Sequence, residues 1–368
     1  MRTGSVHSTD TDALAFLPAG AKLADDSEKL KTITAVGQHQ RIVLLDVAKG
    51  TGILLVVLGH CSGGLHAAGI VEETSIAWFA FYLIYSFHMP FFFFLSGSLV
   101  EPRILSRPLH FLRSSVTGIA YPYYLWGAVQ LAVLSLASSV VTNPVSQPLT
   151  EQLVSMLWAP PGPFWFLYAL FFLHVIAFLT ISIGGRVLFL FAFALIYAVS
   201  SAFPPVAGLI SSYVSGTDIL FYVLGVSVGG LLVGWRGNLD QPYACALIAI
   251  IVFVAVVWVG WNTGISVDTY TVTALPAAFA GTGAMLLLCR LDALRENRWL
   301  AYLGRRILPI YVLHVMFVAG ARIVLVKGFH VDGLAVVLPI IFLAGVFGPL
   351  LVYHAARALR LQGVLGLG

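Results

Sequence analysis

Charge is what this chain has least of. Asp, Glu, Lys and Arg make up 10% of its 368 residues, where a soluble globular domain carries roughly 25%. That scarcity excludes the two or three soluble domains the length would otherwise suggest. Cysteine is scarce too. Cys61, Cys245 and Cys289 are too few and too scattered for a disulfide framework or a zinc site. Each reads as a small buried apolar residue, and no metal centre is expected. The start of the chain lacks the basic-then-apolar order of a cleaved signal, because residues 3–11 are polar. No repeat of fixed period is present, and the apolar runs are continuous rather than alternating.

Long apolar runs stand in place of charge. Hydrophobic residues make up 59% of the chain, and the mean hydropathy is +0.94. Ten segments are marked, at roughly 42–60, 76–99, 116–140, 164–182, 187–203, 218–234, 243–260, 271–289, 306–325 and 334–355. About 20 apolar residues cross ~30 Å of hydrocarbon as a helix, and only helices or closed barrels satisfy their backbone in lipid. The expected fold is therefore all-α: a polytopic integral membrane bundle of about ten transmembrane helices. The basic residues give it a direction. With the N-terminus in the cytoplasm, every Lys and Arg of the 20 except Lys49, Arg322 and Lys327 falls on an inner loop or tail. That is the positive-inside asymmetry, and an odd number of spans breaks it. Both termini are expected in the cytoplasm. Residues 1–40 read as a flexible tail, 41–360 as the transmembrane domain and 361–368 as a short C-terminal tail.

Three spans carry residues that an anchor does not need. The first holds Asp46, Lys49 and His60. Asp46 and Lys49 are three apart and can pair on one face. Lys49 and His60 are eleven apart, close to three full turns, so they share a stripe about 16 Å long. The second holds Ser86-Phe87-His88-Met89-Pro90, followed by four phenylalanines and Leu95-Ser96-Gly97. Pro90 removes a backbone donor and clashes one turn back, at Ser86, which predicts a kink beside His88. The ninth reads Leu308-Pro309-Ile310-Tyr311-Val312-Leu313-His314. Ionisable groups inside a span are costly and usually face a cavity or a partner. The loop at 141–163 is rich in proline, and Trp158, Trp165 and Tyr168 gather at its end. Those aromatics suit either an interfacial belt or a platform for a sugar ring.

In this order the motifs resemble the membrane acyltransferase family 3, the bacterial sugar and polysaccharide O-acyltransferases. Lys49, ten residues, then His60 matches the family's Arg/Lys-to-His motif. Phe87-His88-Met89-Pro90 with Leu95-Ser96-Gly97 is similar to its second-helix signature. Pro163-Phe164-Trp165-Phe166-Leu167 resembles its fourth-helix signature, and Tyr311-x-x-His314 its late Tyr-His pattern. The Lys variant leans toward the fucose O-acetylase-like branch. The resemblance covers about residues 41–355. It departs from the family ahead of the third span, where Arg113 stands with only Arg103 and Arg107 upstream.

The resemblance implies a multi-pass protein of the bacterial inner membrane, with no resident cofactor and no nucleic-acid partner. Acetyl-CoA is the expected donor substrate. A hydroxyl of a carbohydrate or lipid-linked glycan, such as an exopolysaccharide or O-antigen unit, is the expected acceptor. Lys49, Arg113, Arg305 and Arg306 are expected to meet the donor. His60 is expected to act as general base or transient acyl carrier, with Lys49 and Asp46 in the same catalytic set. His88, Trp165, Tyr311 and His314 are expected to line the substrate path. The rival class is a sugar or lipid-linked-sugar transporter with an intramembrane proton relay. An inverted repeat supports that class, and none is visible.

Overall fold

The computed structural model describes residues 19–138, 147–202, 216–231, 241–265 and 272–368. The chain divides into two units, Met1–Val43 and Leu44–Gly368. Of the first unit, residues 19–43 are described, as helical backbone. The remainder of the expected tail lies outside the described residues. Among the described residues of the second unit the only regular elements are helices.

Among the described residues seven helical stretches are long and apolar enough to cross a membrane. They begin with α1, the stretch Val43–Ala67. The second, Ile76–Ser106, comprises α2 (Ile76–Tyr85), α3 (His88–Gly97) and α4 (Val100–Ser106). The third, Pro108–Leu136, comprises α5 (Pro108–Ser115), a π turn at Val116–Ala120 and α6 (Tyr121–Leu136). After the short α7 (Leu149–Ser155) comes α8 (Trp165–Ala202). The last three are α10 (Pro242–Asn262), α14 (Ile307–Ile323) and α15 (Leu334–Ala358). Two shorter apolar helices lie at Gly216–Gly229, which opens with α9 (Gly216–Leu224), and at α11 (Leu275–Leu288). Two short polar-flanked helices, α12 (Asp292–Arg295) and α13 (Arg298–Gly304), lead into α14.

Each expected apolar segment overlaps a helix. The fourth and fifth share α8, which breaks at Gly185 with φ +63° and ψ −159°. Only glycine reaches that conformation at no steric cost. Arg186 pins the break, bonding the Glu101 carboxylate on α4 and donating to the Ser227 carbonyl at 3.0 Å.

The expected kink in the second span is a full interruption. Phe87 leaves the helical region with φ −144°, and α3 starts afresh at His88 with Pro90 in its first turn. A proline is tolerated there because that N–H has no intrahelical partner. Ser86 and His88 then satisfy carbonyls freed near the break, at Leu83 and Ile84.

The lipid-facing sides are apolar and exposed. On α10 they are Ile248, Ile251, Val252 and Trp258; on α15 they are Val336, Leu343, Phe347 and Leu351. Apolar side chains exposed along a helix need a non-aqueous surrounding, so the molecule is a multi-pass membrane protein. Inside, α14 and α15 pack antiparallel, α10 pairs with α11, and α3 pairs with α9.

The described part of the proline-rich loop, Gln147–Phe164, lies along α6. The Tyr123 hydroxyl donates to the Met156 carbonyl at 2.6 Å, and a Cβ on Gly127 would meet Met156 and Pro161. Past α15 the chain returns to α6 as well. The Tyr121 hydroxyl donates to Val364 O at 2.5 Å, the Trp126 indole N–H donates to Leu365 O at 2.9 Å, and Leu367 is buried.

Candidate active site

The first turns of the apolar stretch of α1 are set by backbone contact. A Cβ on Gly304 would overlap the Asp46 carbonyl, and one on Gly50 would overlap the Leu300 carbonyl. Two glycines thus let α13 lie directly against α1, as small residues do at close helix crossings. This brings Arg305 alongside Asp46, with Nη1 to Oδ2 at 3.4 Å. The sequence allowed an Asp46–Lys49 pair; the ion pair Asp46 makes is with Arg305. Among the described residues Lys49 makes no hydrogen bond or ion pair. Asp46 and Arg103 are the charges whose fields it feels.

Lys49 instead lines a cavity of about 200 Å³. Its other walls include Val56 of α1, Phe92 and Ser96 of α3, Gly118 of the π turn, Phe166 and Leu170 of α8, and Tyr311 of α14. The cavity is mostly apolar, so a lone ammonium is its dominant electrostatic feature. Among the described residues no cluster of His, Cys, Asp and Glu could hold a metal ion.

At the other end of the stripe, His60 is partly exposed. Its ring lies 4.9 Å from that of His314 and 6.4 Å from that of Tyr85, centroid to centroid. Tyr85 is in turn 4.8 Å from His88. The three intramembrane histidines picked out in the sequence therefore form one cluster with Tyr85. The break in the second span turns Tyr85 and His88 toward it together. His88 Nδ1 donates to the Ile84 carbonyl at 2.9 Å. Tyr311 belongs to both regions. It walls the cavity, its ring is 6.0 Å from His314, and its hydroxyl donates to the Pro163 carbonyl.

The other expected site residues are more scattered. Trp165 packs on Phe93 and Phe166 at 6.2 and 6.4 Å and is not among the cavity's walls; the adjacent Phe166 and Leu167 take that place. Arg113 is exposed on α5. Arg306 stacks over the Tyr302 ring at 3.9 Å and also faces Tyr353, so aromatic stacking holds it away from Asp46. Cys61 is fully buried beside His60.

Two features were missed in the sequence. Arg322, on α14, is buried and donates to the Gly64 carbonyl near the C-terminal end of α1. His174, a fourth intramembrane histidine, is buried on α8 and bonds Ser115 Oγ at 3.0 Å. Its place inside an apolar run was signal enough to find it.

The acyltransferase family 3 model, described as an acyltransferase domain, matches residues 42–354. The chain belongs to acyltransferase family 3. The matched residues take in both ends of the α1 stripe and the whole histidine cluster. One relative of this family 3 member is the nodulation protein NolL of Mesorhizobium japonicum, 28% identical over 230 residues. Those residues are 61% of this chain and 58% of NolL, so the chain spans less than two thirds of that relative's length. No solved structure matches this family 3 member.

Proposed function

We propose that this chain transfers acetyl from acetyl-CoA to a hydroxyl of a sugar in an exopolysaccharide, O-antigen or lipid-linked oligosaccharide. The observation that carries the reading is the division of the α1 stripe. A cation stands in a mostly apolar cavity at one end and an imidazole cluster at the other, about 16 Å apart at 1.5 Å per residue. That separation is too long for Lys49 and His60 to act on one carbonyl. It suits a donor whose anionic half and reactive thioester are joined by an extended arm.

In this reading Lys49 holds a phosphate of the donor, with Arg305 and Arg113 on the same side of the membrane. His60 takes the proton of the sugar hydroxyl, since an imidazole titrates near working pH. The oxygen then forms a bond to the thioester carbon and the carbon–sulfur bond breaks. The proton on His60 passes to the leaving thiolate. Asp46 orients Arg305, and Tyr311 holds the loop at Pro163 where the acceptor enters. The charge distribution supports ten crossings with both termini in the cytoplasm, and membership of the family supports residence in a bacterial inner membrane. In that orientation Lys49 is on the donor side and His60 on the acceptor side.

The test is expression in a host lacking the gene, with base-labile acetate on surface glycans as readout. His60→Ala and Lys49→Ala should each abolish the ester while the protein remains inserted. Ester formation at the native level in either variant removes that residue's role. Binding of acetyl-CoA to purified protein separates this reading from a sugar transporter, which has no use for it.

A further inference from the structure

The His60 ring has two nitrogens, and a general base needs one of them bare and aimed at the acceptor. His314 is placed to decide which. It is fully buried on α14. Its Nδ1 lies 2.7 Å from the Tyr311 carbonyl and 3.1 Å from the Ile310 carbonyl. A carbonyl only accepts, so Nδ1 carries the hydrogen and donates to both. That leaves Nε2 as a lone pair, and Nε2 is buried without a hydrogen-bond partner among the described residues. An unpaired buried acceptor is costly. The nearest ring is His60, 4.9 Å away at 59°. Across the cluster, Tyr85 of α2 faces His60 and packs against His88 of α3.

We propose that His314 is the positioning residue of the reaction, accepting an N–H from His60 and so fixing which His60 nitrogen is the base. This rests on the reading of His60 given above. A small rotation of the partly exposed His60 ring brings its N–H onto Nε2; catalytic contacts are often long until substrate is bound. The opposite His60 nitrogen is then bare and points away from α14. When it takes the acceptor proton, the imidazolium that forms is held by the lone pair of His314. The arrangement follows the nucleophile, base and orienter logic of hydrolytic triads, with a tautomer-locked histidine where those have a carboxylate. A neutral orienter suits membrane depth, where a carboxylate is expensive.

Two variants separate this from a packing role. His314→Gln keeps an acceptor oxygen at roughly the same reach. His314→Phe keeps the ring and removes the acceptor. Protein labelled with ¹⁵N-histidine in lipid nanodiscs reports tautomers directly, and the His60 signal is assigned by its loss in His60→Asn. The wild type should show one His60 tautomer, His314→Phe a mixture, and His314→Gln a single tautomer again. Transfer of acetyl to surface glycans should fall about 100-fold or more in kcat for His314→Phe, within the range of base catalysis. It should recover to within about tenfold in His314→Gln, with little change in KM for acetyl-CoA in either. An unchanged His60 tautomer in His314→Phe overturns the proposal. So does an equal loss of activity in both variants. If the wild type makes no ester, the enzymatic reading fails on its own, and the tautomer measurement still decides the His60–His314 contact.

Discussion

At the scale of single residues, Lys49 and His60 carry separable burdens. Lys49→Met keeps the length of the side chain and removes its charge. It should raise KM for acetyl-CoA by about a hundredfold, the upper worth of one charge-assisted bond, enough to remove detectable ester at cellular donor levels, with a smaller effect on kcat. Lys49→Arg should recover most of that loss, because the cavity presents the cation to an anion rather than to a fixed protein partner. Steady-state kinetics with varied donor checks both. His60→Ala should lower kcat by at least about 100-fold at unchanged donor KM. These residues were legible because a lysine and a histidine inside a 25-residue apolar stretch demand an explanation, and the eleven-residue interval puts them on one face. The partner of Asp46 was not legible. Arg305 lies far away in the chain, and only the glycine contact between α1 and α13 brings it within 3.4 Å.

At the scale of elements, the site depends on three joints: the break at Phe87, the crossing of α1 with α13, and the loop held by Tyr311. Gly304→Ala inserts a carbon where the Asp46 carbonyl already stands. Overpacking of this kind costs about 1–3 kcal/mol, and α13 must move to relieve it, carrying Arg305 off Asp46. A lowered midpoint of thermal unfolding in detergent, together with weaker donor binding, is the expected outcome. Tyr311→Phe leaves the Pro163 carbonyl without its donor, a loss of about 1 kcal/mol for a part-buried bond. It should loosen the loop at Pro163 and raise acceptor KM more than donor KM. The kink at Pro90 could be read from the sequence, since proline chemistry is local. The position of the loop along α6 could not. Its contacts, such as Tyr123 with Met156, join residues that no periodicity links.

At the scale of the whole molecule, composition was enough to place the chain in a membrane and to predict helices alone. Hydropathy also separates the two arms of α8 at the weak polar patch near Gly185, and the backbone leaves helical geometry at that residue, so the arms are two helices. Direction across the bilayer is testable with single cysteines. Cys61 and Cys289 are buried, so a Cys245→Ser background gives little signal of its own. Arg295→Cys and Glu73→Cys, both on exposed positions, should be labelled by a membrane-impermeant maleimide from opposite faces, Glu73→Cys in intact cells and Arg295→Cys after lysis. Labelling of both from outside would overturn the proposed orientation.

The length of the α1 stripe also has an electrical consequence. In the proposed reaction the donor's arm carries a neutral acetyl thioester to His60, so the proton taken from the acceptor decides the matter. If His60 returns that proton to the thiolate, turnover is electroneutral, and its rate in vesicles clamped with potassium and valinomycin stays flat as the voltage changes. If the proton is released on the outer side while the thiolate is reprotonated from the cytoplasm, each turnover carries one charge outward. An inside-negative membrane then opposes it by about 2.3 kcal/mol per 100 mV. The proposed hand-off from His60 to sulfur predicts the flat response.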